Sequence, residues 1–245
     1  MNARTKFALI TLATLLAVGV TAILGVWQLS RAAQKEALQA AMDAQSAKAP
    51  LDAQALIANK DSMALLHQRA RLRGTWVAGS QVFLENRPMK GRAGFLVVTP
   101  FVLEGGRGAL AVQRGWVPRG FEDRTLLPRV ETPAGTVEIE GRMALPPSDL
   151  YSLGQTVGGA IRQNLDLPQF RVETGLPLLP LTLQQTGANQ EGLLRDWPAV
   201  NLGVDKNYGY AIQWFGMAAL FALLYLWFQI VRPFIARPKD PTPDV

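Results

Sequence analysis

Few residues in this sequence could carry chemistry. His67 is the only histidine, and there is no cysteine. One imidazole cannot furnish a metal cage or a catalytic triad. The missing thiols exclude a disulfide framework, a zinc ribbon, a thiol copper site and a covalently attached c-type haem. They also suit an oxidising compartment, where a lone thiol is a liability. His67 precedes the first strand and reads as a surface or capping group. Glu138 and Glu140 stand two apart on one strand, superficially like a glycosidase pair, but the solvent face of any alternating strand has that pattern. Gly105-Gly106-Arg107-Gly108 lacks the lysine and the helix of a phosphate loop. No catalytic set and no metal site are expected.

Two segments have more binding character. In Arg114-Gly115-Trp116-Val117-Pro118-Arg119-Gly120, an indole beside two guanidinium groups suits a flat anion. The same run also reads as a strand end with a snorkelling arginine and a turn. The second feature joins distant positions. Trp27-Gln28 closes one apolar stretch and Gln213-Trp214 lies near the start of another. If both stretches are spans, indoles and amides share one membrane depth, and Arg31 and Lys35 follow one helical turn above. This is either ordinary interfacial anchoring or a partner or cofactor groove at the mouth of a helix pair. Gly25 would let the helices approach, and Gln28 and Gln213 could hydrogen-bond across them.

The elements behind these residues are legible. Phe7 to Trp27 and Tyr210 to Val231 carry no charge, and each is long enough to cross about 30 Å of hydrocarbon as a helix. A cleaved signal peptide is the weaker reading of the first. Its apolar run exceeds a signal core of roughly 7–15 residues, and Ser30-Arg31-Ala32 is a poor cleavage site. The expected order is a tail (1–6), a transmembrane helix (7–28), an extracytoplasmic domain (29–207), a second transmembrane helix (208–231) and a tail (232–245). Arg232, Arg237 and Lys239 outweigh Lys206 across the second span, which places both termini in the cytoplasm. Pro233, Pro238, Pro241 and Pro243 should end that helix. The net charge of +6 is spread along the chain, so nucleic acid is not an expected partner.

Between the spans, Gln28 to Asp43 favours helix, so the first helix should run on until Pro50, with a short helix in Leu51 to Leu66. Strand signals follow at Ala70 to Trp76, interrupted at Gly74, then at Gln81 to Asn86 and at Phe95 to Leu103, broken by Pro100. Beyond a Gly105-Gly106 turn come Ala109 to Val117, Thr136 to Met143 and Leu181 to Gln185. Asp166 and Pro168 should start a helix that Gly175 stops. The fold class is a membrane protein of α+β type, with two transmembrane helices flanking a barrel- or sandwich-like β-rich domain with short helices.

These segments resemble the Surfeit locus family of cytochrome c oxidase assembly factors. The matching stretches are Gly25-Val26-Trp27-Gln28 with Arg31 and Lys35; Asn86-Arg87-Pro88 with Gly94; Thr99-Pro100; Arg114-Gly115-Trp116-Val117-Pro118; Thr132-Pro133-Ala134-Gly135 leading to Gly141; and Gly209-Tyr210-Ala211-Ile212-Gln213-Trp214-Phe215. Each is weak alone; in order, they span almost the whole chain. The resemblance implies a non-enzymatic chaperone of respiratory-chain assembly in the bacterial inner membrane. Its partners would be cytochrome c oxidase subunit I and other oxidase assembly or haem-synthesis proteins, and its cofactor haem a, held transiently. A scaffold that steadies the nascent subunit without handling haem is the alternative. The candidate groove, for haem or a partner, is Trp27, Gln28, Arg31, Asn207, Tyr210, Gln213 and Trp214. The family commonly has histidine where this chain has Asn207, which leaves haem contact without axial ligation, or a phenolate from Tyr208 or Tyr210. Asn207 itself is expected to cap the second helix.

Overall fold

The computed structural model describes residues 2–120, 127–147, 159–188, 191–197 and 202–235. Arg237, Lys239, Pro238, Pro241 and Pro243 lie outside them. The described residues form two compact units, one of residues 2–40 and 202–235, the other of residues 41–197.

The first unit is a helix pair. Helix α1, Ala3–Ala47, is unbroken over 45 residues, because an apolar stretch passes directly into Ala, Gln, Lys and Leu without a breaker. Its length of roughly 67 Å is about twice what a bilayer core requires. The second helix, here α4, begins at Val204 and runs to Tyr225. It continues through a π-turn, Leu226–Val231, into a last helical turn, Arg232–Ile235. Both helices are long and apolar enough to cross a membrane. Pro233 does not end the second one. The π-turn before it widens the hydrogen-bond spacing, with the Arg232 N–H donating to the Trp227 carbonyl, and such a turn accommodates a residue that has no N–H.

The second unit is a small barrel. Its strands are β1 (Arg69–Trp76), β2 (Val82–Leu84), β3 (Gly94–Leu103), β4 (Ala109–Pro118), β5 (Thr136–Ala144), β6 (Ile161–Arg162) and β7 (Leu178–Gln185). Neighbours run β1-β5-β7-β4-β3, and β3 pairs back onto β1 to close a five-stranded ring. Only β4–β7 is parallel within that ring. β2 and β6 extend the sheet beyond β3. Closure pairs both sides of β5, β7 and β4 and leaves an edge at β6. Inward residues alternate along the strands, as on β5, where Ile139 and Met143 are buried and Glu138 and Glu140 exposed. The interior holds Leu72, Phe101, Leu103, Leu110, Ile139, Met143 and Leu183, covered by Leu51, Leu56 and Leu65 from the segment with helix α2, Ala53–Ala58. Helix α3, Leu167–Thr174, is capped by Asp166 and stopped by left-handed Gly175, as its sequence predicts. Its Leu167 and Phe170 pack over a second apolar layer.

Two expected interruptions are absent. Gly74 lies inside β1 because a Cβ there would strike the Val102 backbone; the glycine permits strand contact. Pro100 lies inside β3. β3 pairs with β2 through 96–98 and with β1 through 101–103. The Pro100 carbonyl faces that side, accepting from the Val77 N–H. The missing proline N–H therefore falls in the gap between two partner strands, where no ladder bond is lost.

Candidate functional site

The Arg114 segment is structural. Arg114 is fully buried. Its guanidinium donates to Gln81 Oε1 (3.1 Å), Thr132 Oγ1 (2.7 Å), the Glu131 carbonyl (2.6 Å) and Glu191 Oε2 (2.7 Å), and lies 4.7 Å from the Trp76 ring centroid. It neither snorkels nor offers a face to a ligand. Arg195 joins through Glu191 at 3.5 Å. Burial pulls the Arg195 guanidinium below its ordinary value; Glu191 opposes that shift and Arg114 adds to it. Trp116 is buried, and its indole N–H donates to the Arg87 carbonyl at 2.6 Å. A side chain at Gly94 would run into the Trp116 ring. Glu138 and Glu140 are a solvated face, paired with Arg71.

The helix pair holds a different arrangement. An open groove of about 650 Å³ is lined by Trp27, Gln28, Arg31 and Lys35 of α1, and by Lys206, Asn207 and Tyr210 of α4, together with Gln34, Leu202 and Gly203. Below it, the Phe215 ring covers Gly25 so closely that a Cβ there would lie 2.8 Å from the ring. The two helices therefore approach at the glycine, and the mouth opens above it.

Asn207 links the helices. Its Nδ2 donates to Gln28 Oε1 at 2.6 Å, and its Oδ1 accepts from Lys35 Nζ at 2.7 Å. It does not cap α4. Gly203 in the left-handed conformation is the N-cap, and Asn207 sits in the first full turn, with its amide directed at α1. Gln28 pairs with Asn207, not with Gln213, which is exposed. Gln213 and Trp214 do not line the groove. Tyr208 Oη donates to Glu36 at 2.8 Å, whereas Tyr210 lines the groove and is half-exposed. Arg31 lies 5.8 Å from the Trp27 ring centroid and donates to Gln34.

Five of the seven expected groove residues thus come together. Sequence reading missed Lys206, Gln34, Leu202 and Gly203 as lining, and it placed Lys35 one turn above without counting it in the groove. The available signal was position: Lys206 directly precedes Asn207, at the foot of the second helix. Among the described residues, Arg31, Lys35 and Lys206 make no ion pair. Its described lining has three unneutralised cations, two aromatic rings and no acid, an arrangement suited to a flat anion.

The sequence model of the SURF1 family matches residues 15–219. That stretch takes in most of α1, the whole barrel and the first part of α4, and it includes every residue that lines the groove. No curated protein matches the chain significantly.

Proposed function

The chain belongs to the SURF1 family, which is associated with cytochrome c oxidase assembly, and from that premise we propose that it assists haem a insertion into the main oxidase subunit. The observation that carries this reading is the groove itself. Haem a arrives as cargo, a planar ring with carboxylates, and supplies the redox centre of the finished oxidase. Arg31, Lys35 and Lys206 suit its carboxylates, and Trp27 and Tyr210 suit its ring. Iron in proteins usually takes His, Met, Cys or Tyr, and among the described residues of the lining the only such side chain is the Tyr210 phenol. The residues fit a group held by its acids and its face. The protein's own part is to bind and orient the ring, with the barrel on the extracytoplasmic side of the inner membrane and both termini in the cytoplasm.

Asn207, where the family commonly has histidine, favours a second reading. In it the protein steadies the nascent subunit as a scaffold and never holds haem. A deletion strain separates the two. Oxidase activity should fall severalfold, with haem a per oxidase subunit falling alongside. Unchanged haem a per subunit, with fewer subunits assembled, would support the scaffold.

A further inference from the structure

The cations of the groove are not equivalent. Lys35 is half-buried, while Arg31 and Lys206 are exposed. Its ammonium is the one tied into a relay across the helices, from Lys35 Nζ to Asn207 Oδ1 and from Asn207 Nδ2 to Gln28 Oε1. Both ends of the Asn207 amide are therefore engaged within the protein. An ammonium has three donors, and the bond to Asn207 uses one. The choice of partner matters. An amide oxygen fixes where the charge sits yet leaves it whole, whereas a carboxylate in the same place would fix it and cancel it.

We propose that Asn207 and Gln28 are positioning residues that fix the Lys35 ammonium in the groove, and that Lys35 receives a carboxylate of a planar acid lying against Trp27 and Tyr210. This rests on the haem-handling reading and names the contact that makes it selective. The volume of about 650 Å³ falls within the range of small-molecule sites, roughly 300–1,000 Å³. Among the described residues of the lining, Leu202 is the only aliphatic side chain, too little to hold an acyl chain. Aromatic rims and unpaired cations favour an aromatic acid over a lipid.

The test uses the full chain in nanodiscs of zwitterionic phosphatidylcholine, with protoporphyrin IX and its dimethyl ester as probes and porphyrin fluorescence as readout. The wild type should bind the diacid about tenfold more tightly than the ester, the worth of one charge-assisted hydrogen bond. Asn207→Asp, nearly isosteric, should remove most of the preference for the diacid and leave the ester unchanged. Lys35→Gln should do the same, and Lys35→Arg should restore the preference. If Asn207→Asp weakens both probes equally, its role is structural and the proposal fails. Equal wild-type affinity for diacid and ester would also overturn it, while leaving the groove as a porphyrin site. A wild type that binds neither probe would overturn the haem-handling reading itself, and the inference with it.

Discussion

Arg114 in the barrel and Lys35 in the helix pair are both drawn out of bulk water, and the protein treats them in opposite ways. Arg114 meets a carboxylate, an amide, a hydroxyl, a carbonyl and an indole face. Lys35 meets one amide oxygen. The other cations of the barrel unit divide between acids and neutral acceptors. Arg71, Arg73, Arg119, Arg162 and Arg195 pair with acids, whereas Arg142 donates to the Gln184 amide oxygen. Arg31 and Lys206 in the groove pair with none among the described residues. A buried charge that serves the fold must be neutralised, because desolvation otherwise costs several kcal/mol. A charge kept for a ligand must stay unneutralised, and it can do so only where water still reaches it. That contrast sets the fully buried Arg114 apart from the three groove cations.

The sharpest way to break this contrast is at Arg114. Arg114→Met should cost about 3–5 kcal/mol, since Glu191, Thr132 and Gln81 lose a buried partner together. Denaturant unfolding of the full chain, read through Trp76 and Trp116, measures it. A cost below about 1 kcal/mol would mean the network is worth no more than an ordinary contact. Arg114→Lys should recover little, because one ammonium cannot reproduce the fork of four acceptors.

Next in size is Gly25. A Val there overpacks against Phe215 and should cost about 1–3 kcal/mol, prising open the mouth and weakening porphyrin binding. Gly25→Val with Phe215→Ala should restore binding. Failure of that rescue would show that the two helices do not set the groove by this contact.

The groove cations should behave in the reverse way to Arg114. Arg31→Gln with Lys206→Gln should change stability by no more than about 0.5 kcal/mol, as exposed substitutions usually do, yet lower diacid porphyrin affinity severalfold. Destabilisation comparable to that of Arg114→Met would erase the distinction between the two sets of cations.

Much of this was legible in the sequence, and the limits have physical causes. Apolar length gave the helices, alternation gave β1 and β5, and Asp166, Pro168 and Gly175 gave α3 to the residue. Gly74 and Pro100 misled because their cost depends on what lies opposite, and strand order is invisible in a single chain. Arg114 misled for a similar reason. Its acceptors come from Gln81, Thr132 and Glu191, far apart in sequence. Asn207 read as a cap because short polar residues favour helix starts, but Gly203 takes that place. The shared depth of Trp27, Gln28 and Tyr210 was readable. The pairing of Gln28 with Asn207 in place of Gln213 required the helix rotation.

The smallest expected effect concerns a third base in a partly buried setting, His67. It is half-buried with φ 69°, and its backbone N–H donates to the Met143 carbonyl at 2.9 Å. Burial, and secondarily the Arg142 guanidinium, hold its imidazole below the ordinary value of 6.5. The folded chain therefore prefers neutral His67, while the unfolded chain takes up the proton near 6.5. Between the folded value and 6.5 the unfolded state binds more protons, so stability rises with pH across that window. Stability is fully present above 6.5 and is lost as pH falls through the folded value. Asparagine tolerates positive φ better than most residues, which makes His67→Asn a fair control. The wild type should lose more stability than His67→Asn between pH 7.5 and pH 5, and the carboxylates common to both chains cancel in the difference. If the two unfolding midpoints move in parallel over that range, His67 gains its proton as easily in the fold as outside it. In that case neither burial nor the Arg142 guanidinium acts measurably on the imidazole.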